Sequence, residues 1–186
     1  MDSPTLPVAG SLREEIENLE RYRTFWERFW AGVLDGLVLL PISIMNHFIS
    51  KPGRPAAVLI SWATFFFFSV LAYSILMHAR FGQTVGKMLM GVKVWDVSEG
   101  RLPSLRQAFL RDIGNVVPNV AALAYFIFLV ASQRYVGHGE EVNSLPGAVI
   151  GWTSFAWFLV EVITMFTNQK RRALHDFIAG TVVCLD

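Results

Sequence analysis

Charged residues are scarce in this chain, and that scarcity indicates its class. Asp, Glu, Lys and Arg make up 17% of the 186 residues, below the quarter or so that is usual in soluble domains. Hydrophobic residues make up 53%, and the mean hydropathy is +0.43. We therefore expect one compact unit of membrane character, in contact with the lipid bilayer. The net charge of +1 gives no indication of a nucleic-acid partner.

Cysteine and clustered histidine are also lacking. Cys184 is the single cysteine, which excludes an intramolecular disulfide and a cysteine-based metal site. The four histidines are scattered without the spacing of metal ligands. No serine or cysteine nucleophile stands beside a base, and the His175-Asp176 pair does not supply one. We expect no metal, no cofactor and no enzymatic activity.

The N-terminus lacks the features of a signal peptide. Residues 1–24 contain Glu14, Glu15, Glu17 and Glu20 and no apolar core, so the first membrane segment is expected to stay in the mature protein. Ser11-Leu12-Arg13-Glu14 has the pattern of a helix-capping box. Residues 1–24 are therefore predicted to be a cytoplasmic lead-in, either an amphipathic helix at the membrane surface or a solvated charged segment.

Four apolar stretches have the length of membrane-spanning helices. They cover about residues 29–49, 56–77, 113–131 and 146–167, each near the twenty residues needed to cross. The loop 50–55 is short and rich in Gly and Pro, which predicts a hairpin of the first two spans. Pro41 and Pro118 are expected to kink spans one and three. Residues 25–186 thus form the predicted membrane domain.

The distribution of positive charge predicts the orientation. Of the Lys and Arg residues, 13 lie before span one, between spans two and three, or after span four, and 3 lie on the other side. The positive-inside rule then places both termini in the cytoplasm. The expected location is a bacterial cytoplasmic (inner) membrane.

The two predicted cytoplasmic segments, 78–112 and 168–186, carry local structure. Val92–Asp96 alternates apolar and polar residues and Thr181–Leu185 is β-branched, so we expect the two to pair as a small β element. A capping box at Ser104–Gln107 predicts a helix that runs into span three. Residues 168–180 are predicted to form a short helix that stops at Gly180. The fold class is an all-α membrane protein with four spans and this β element.

Gly82-Gln83-Thr84-Val85-Gly86-Lys87 is similar to a phosphate-binding loop. It has three residues between the glycines instead of four, and Met88 follows the lysine, so we reject that interpretation. A turn with close backbone packing fits these glycines better.

Acidic residues inside the spans are the candidate functional groups. Asp35 and Glu161 each lie about six residues from the cytoplasmic end of a span, or about 9 Å deep. Carboxylates at that depth are costly and mark functional candidates. Arg28 and Arg111 are the candidate charge partners for these two acids. The other polar residues expected near them are Asp112, Asn115, Asn119 and His78.

Two interpretations of this polar set compete. Two carboxylates facing each other in a low dielectric favour proton or cation exchange. Alternatively, Asp35 and Glu161 paired with Arg28 and Arg111 only stabilise the helix bundle. The residues alone favour the second interpretation, because structural ion pairs also perturb charged groups.

Four motifs in order resemble those of the RDD family of membrane proteins. They are Arg28 with Asp35, then GQTVGKMLMGVKVWD, LRQAFLRDIG and RRALHDFIAGTVV, and they cover about residues 20–186. The family is named for one arginine and two aspartates. The resemblance assigns the first two to Arg28 and Asp35 and the second aspartate to Asp176, with Asp112 as the other match.

The resemblance implies a transporter, and for some members cation/proton antiport. Fusion of such domains to other modules implies a scaffolding role instead. We therefore expect transport of a small ion, possible monovalent cation/proton antiport, with Asp35, Glu161, Asp176 and Asp112 as ion- or proton-binding residues. The alternative is a non-transporting scaffold or assembly factor. A four-helix transporter is small for alternating access, which predicts a homo-oligomer.

Overall fold

A computed structural model describes residue 16, residues 19–135 and residues 144–186. The predicted lead-in helix, including its capping box at Ser11, lies largely outside the described residues. Seven helices are described: α1 Phe25–Val38, α2 Leu40–Ile49, α3 Ala56–Phe81, α4 Val85–Leu89, α5 Leu105–Ala131, α6 Leu145–Phe166 and α7 Leu174–Ala179. The two described strands are β1 Val92–Asp96 and β2 Thr181–Leu185.

Three of the described helices, α3, α5 and α6, are long and apolar enough to cross a membrane. The pair α1 and α2 makes a fourth span if the two helices count as one, and it is bent by 51°. The kink expected at Pro41 is therefore confirmed, and the first predicted span, residues 29–49, is a bent pair of helices. Pro41 lies in the first turn of α2, and its ring and missing N–H prevent α1 from continuing. At Pro118 the chain is not interrupted, because α5 runs as one continuous helix through that residue.

The outer faces of the helices are apolar. Large side chains such as Trp152, Phe155 and Phe158 on α6 are more than half exposed in the isolated chain. Such surface is unfavourable in water and suits contact with lipid tails. The chain is thus built as an integral membrane protein.

The small sheet forms with the predicted strands. β1 and β2 are antiparallel, from Val92 opposite Leu185 to Asp96 opposite Thr181. Val92, Val94 and Val183 are buried on one side of the sheet, and Val182 and Cys184 pack with Tyr22 on the other. Because both faces are covered, this two-stranded sheet is stable where an isolated hairpin would not be.

The C-terminal helix is shorter than predicted. α7 covers Leu174–Ala179 instead of residues 168–180. Arg171 has a left-handed backbone (φ 48°), and the Asn168 side chain bonds the Thr164 and Arg172 carbonyl groups. These contacts hold residues 168–173 as a turn. Gly180 (φ 64°) ends the helix as predicted.

The segment that follows α3 packs closely on α1. Gly82 ends α3 in a left-handed conformation (φ 71°), which glycine adopts without strain. A Cβ on Gly86 would collide with the Ala31 carbonyl oxygen of α1 and lie 2.9 Å from the Asp35 carboxyl carbon. The expected turn with close backbone packing is confirmed, and α4 is seated directly over Asp35.

Candidate functional site

Asp176 on α7 is the centre of a buried charge cluster. Its side chain is fully buried. Its Oδ2 accepts a 2.7 Å hydrogen bond from Nη1 of Arg28, and its Oδ1 accepts one of 2.6 Å from Nη1 of Arg111. The Ala173 backbone N–H and the Thr181 hydroxyl donate two more. The carboxylate thus joins α1, α5 and α7.

The surroundings of Asp176 keep it ionised. Burial would raise the pKa of its carboxyl group, but the positive charges of Arg111 and Arg28 lower that pKa well below its usual range. A group that holds its charge so firmly cannot carry a proton at physiological pH. We assign Asp176 to the stability of the bundle.

The expected pairing of the two arginines with Asp35 or Glu161 is wrong. Both arginines bond Asp176 instead. The physical reason is that α7 folds back under the bundle and places a third carboxylate between them. Of the two aspartates that match the second family aspartate, Asp176 pairs with Arg28, and Asp112 does not.

Asp35 is bound by neutral donors. Its Oδ1 accepts from the Tyr73 hydroxyl (2.8 Å) and the Gly86 backbone N–H (2.8 Å). Its Oδ2 accepts from the Thr84 hydroxyl (2.6 Å). The Tyr73 hydroxyl in turn accepts from the Val85 backbone N–H (3.1 Å). Asp35 therefore fixes the first turn of α4 against α1.

Glu161 on α6 has a different partner from Asp35. Oε2 of Glu161 lies 2.7 Å from Nδ1 of His175. Oε1 accepts a 3.2 Å hydrogen bond from the His175 backbone N–H. Nη2 of Arg111 lies 3.1 Å from Nε2 of His175, and arginine can only donate. Nε2 must then accept, so Nδ1 carries the hydrogen that faces Glu161.

A cavity of about 780 Å³ lies between the helices. Residues of α1, α2, α3, α4, α5 and α7 line it, from Ser50 after α2 to Lys87 on α4 and His175 on α7. Asp35 is on its wall, whereas no residue of α6 is. The structure therefore does not bring Asp35 and Glu161 into one exchange site. It does place four other candidates on the wall: His78, Asp112, Asn115 and Asn119.

Among the described residues, two buried acceptor atoms on this wall have no hydrogen-bond partner within the chain. One is Oδ2 of Asp112, and the other is Nε2 of His78. His78 is 4% exposed, and its Nδ1 lies 2.8 Å from the Ser74 carbonyl oxygen. Nδ1 must donate to that carbonyl, which leaves Nε2 with a lone pair. Buried polar groups are nearly always paired, so two such atoms at one cavity indicate a place for a donor from outside the chain.

Lys87 is a wall residue that the sequence interpretation did not select. Burial, together with the charge of Arg111, lowers the pKa of Lys87 to about 8, although Asp35 opposes this shift. The signal for it was the segment Gly82–Lys87, whose glycines place the lysine beside α1. Tyr73 also escaped selection, because nothing in its local sequence distinguishes it from other polar residues, whereas Thr84 and His175 lie in motifs that were noted but not assigned to the site.

A metal site does not arise from the part of the chain that the structure describes. No three His, Cys, Asp or Glu side chains come together there. The cavity wall instead combines isolated polar groups with aromatic and aliphatic ones.

Comparisons with known proteins give the family. The RDD family model matches residues 22–180. The chain is 38% identical over 101 residues to the "Uncharacterized membrane protein YteJ" of Bacillus subtilis (strain 168). That alignment covers 50% of this chain and 60% of the relative, so this chain matches less than two thirds of the relative's length. No solved structure matches. The family match covers most of the chain, so this protein belongs to the RDD family of integral membrane proteins.

Proposed function

We propose that the protein exchanges protons for a monovalent cation across the membrane, and that the cavity is the route. The observation that carries the proposal is the buried, unpartnered Oδ2 of Asp112 on the cavity wall. An ionisable group inside a membrane is a functional candidate when no protein group neutralises it. Asp176, which pairs with two arginines, fails that criterion. Asp112 feels the charges of Lys87 and Arg111, but among the described residues it forms no ion pair, so it is the better candidate.

The position of the lining residues supports a path. Ser43, Asn46 and Ser50 line the cavity near the end of α2, and Thr84, Lys87 and His175 line it at the opposite end of the bundle. Polar groups at both ends suit an ion that enters from one side and leaves at the other. Asp112 and His78 supply acceptor atoms at the end that Thr84, Lys87 and His175 line, and Asn115 and Asn119 continue the polar wall along α5.

The proposed roles of the acidic residues differ from the initial expectation. Asp112 takes the exchanging role first given to Asp35 and Glu161, and His78 supports it. Asp35 positions α4, and Glu161 positions His175. Arg28, Arg111 and Asp176 hold the bundle together, and Asn115 and Asn119 provide polar wall.

The orientation belongs to the same proposal. The excess of Lys and Arg on one side supports cytoplasmic termini in a bacterial inner membrane. The charge cluster and α4 then face the cytoplasm. Because one bundle is small for alternating access, we propose that the working unit is a homo-oligomer.

A non-transporting scaffold is the second candidate. The burial of Asp176 between Arg28 and Arg111 favours it, because two of the residues matched to the family signature, Arg28 and Asp176, then serve structure alone. In that case Asp112 and His78 would meet only water.

Flux measurements separate the two candidates. Purified protein is reconstituted in liposomes that contain a pH-sensitive dye, and a gradient of sodium, potassium or benzyltrimethylammonium is imposed. None of these cations can deprotonate and leak as a neutral species. Proton movement in the direction opposite to at least one of them, absent from protein-free liposomes, supports exchange. Folded protein that moves no protons with any of the three cations contradicts it and leaves the scaffold.

A further inference from the structure

The walls of the cavity are chemically divided. The polar part holds Asp112, His78 and Lys87, and the apolar part includes Phe66, Phe67 and Phe126. A volume of about 780 Å³ lies within the range of about 300–1,000 Å³ found for small-molecule sites. A bare metal cation makes no use of such an apolar wall, since it is bound by several oxygen atoms at short distance.

The unpartnered atoms of the polar part define the charge of the missing group. Oδ2 of Asp112 and Nε2 of His78 are both acceptors, and both are buried. A positively charged hydrogen-bond donor would pair with both atoms. Such a donor is favoured over a neutral one, because a hydrogen bond that involves a charged partner is about twice as strong as a neutral one.

We propose that the cavity binds an amphipathic organic cation, with its ammonium group at Asp112 and His78 and its apolar body along Val116, Leu71 and Val70, pointing towards the phenylalanines further along the cavity. This inference rests on the proposed function, since it names the class of cation that the same cavity exchanges for protons.

Lys87 and Arg111 are the cations that oppose this binding. Arg111 is neutralised by Asp176 at 2.6 Å, so its charge is already compensated. In the part of the chain that the structure describes, Lys87 has no such partner at that distance, and burial with Arg111 lowers its pKa to about 8. A bound ammonium group would favour the neutral form of Lys87 and so release its proton. Binding of the cation and loss of a proton are thereby coupled at neighbouring side chains.

The charged and titratable groups around Lys87 all belong to elements described above. Those acting on it are Asp35 and Arg28 of α1 and Arg111 and Asp112 of α5, and the adjacent wall adds His78, Tyr73 and His175.

The test uses two fluorescent probes that differ in one charge. Dansylcadaverine carries a terminal primary ammonium on a naphthalene body, and N-acetyl-dansylcadaverine replaces the ammonium with a neutral amide. Binding to full-length protein in detergent micelles is followed by fluorescence anisotropy, with empty micelles as the blank. We expect saturable binding of the amine, about tenfold or more tighter than that of the amide.

Two variants give opposite changes if the site is where we place it. Asp112→Asn weakens amine binding by about tenfold or more and leaves the amide unchanged. Lys87→Met removes a competing cation and tightens amine binding at pH values below about 8, the pKa of that lysine. A merely structural effect would not raise the affinity. Near-UV circular dichroism checks that both variants are folded.

Several results would overturn the inference. These are no saturable binding of the amine, equal binding of amine and amide, or amine affinity unchanged in folded Asp112→Asn. Because binding is measured without a gradient, the outcome is independent of flux. Sodium- or potassium-driven proton flux without amine binding rejects this inference and keeps the proposed exchange. Amine binding without any flux keeps the site and rejects the exchange.

Discussion

Arg28 and Asp176 lie 148 positions apart in the chain and form a 2.7 Å ion pair. The Arg28 side chain is 12% exposed and that of Asp176 is fully buried. Arg111 closes the cluster from the other oxygen of the same carboxylate. The first helix, the third span and the C-terminal helix are therefore locked at one point, beside the cavity.

Neutralising Asp176 should destabilise the whole protein. Asp176→Asn leaves Arg28 and Arg111 buried without an opposite charge, which costs about 3–5 kcal/mol. Thermal unfolding in detergent measures the loss. Glu20→Gln is the control, because the Glu20 side chain is 62% exposed and should change stability by no more than about 0.5 kcal/mol. Equal unfolding midpoints for Asp176→Asn and the wild type would refute the locking role.

A methyl group on Gly86 should unseat α4. In Gly86→Ala the new Cβ collides with the backbone of α1, so α1 and α4 must move apart. We expect a loss of about 1–3 kcal/mol, seen by thermal unfolding. Gly151→Ala in α6 is the matched control, since nothing lies within 4 Å of a Cβ there, and the change should be neutral or slightly stabilising. The idea fails if both substitutions have the same effect.

Asp35 should control local order and not the overall fold. Asp35→Asn offers one acceptor oxygen in place of two, so the hydroxyl of Thr84 or the N–H of Gly86 loses its partner, at a cost of about 1–3 kcal/mol. Hydrogen exchange of the Val85 and Gly86 backbone amides should speed up, while amides of β1 stay protected. Unchanged exchange in residues 82–89 would contradict the assignment.

The two lysines Lys87 and Lys170 should respond to pH in opposite senses. Burial and Arg111 lower the pKa of Lys87 from 10.5 to about 8, so the unfolded chain binds its proton more tightly, and stability rises as pH increases through that window. A hydrogen bond to Glu99 raises the pKa of Lys170. The interaction therefore stabilises the fold at pH values below the ordinary lysine pKa, and this stabilisation is lost as pH rises beyond it.

Unfolding midpoints across this pH range check both signs. As pH rises, the unfolding midpoint of the wild type should increase relative to that of Lys87→Met and decrease relative to that of Lys170→Met. The same slope for both pairs would show that the environments of the two lysines have been misassigned.

Much of the fold could be predicted from local patterns. The alternation in Val92–Asp96 and the β-branched run Thr181–Leu185 located both strands. Their pairing followed because each strand is too short to be stable alone. The capping box at Ser104 gave the start of α5, and its two reciprocal hydrogen bonds are present. Gly180 marked the end of α7. These features depend on neighbours in sequence, which is why the sequence reveals them.

The pairing of the charged residues could not be predicted in the same way. Depth along a helix placed Asp35 and Glu161 at one level, but depth says nothing about which way each side chain points. Asp35 found three uncharged donors, one of them a backbone N–H, and backbone donors leave no trace in composition. The partner of Arg28 lies on a helix whose position depends on the whole C-terminal fold.

The break at Leu39 was predicted from Pro41, but its contrast with Pro118 was not. Pro41 and Pro118 look alike in sequence, yet only the first interrupts a helix. A proline bends a helix when neighbouring elements do not restore the lost packing. Whether they do depends on α3, α5 and α6 together, and no local pattern records it.

The central claim is that Asp112 carries the exchange. The most direct measurement compares initial rates of cation-driven proton flux in proteoliposomes of wild type, Asp112→Asn and the surface control Glu20→Gln, at equal protein density. The account predicts that Glu20→Gln matches the wild type and that Asp112→Asn loses cation-driven proton flux, while both variants unfold at the wild-type temperature. Wild-type flux in Asp112→Asn would contradict the account.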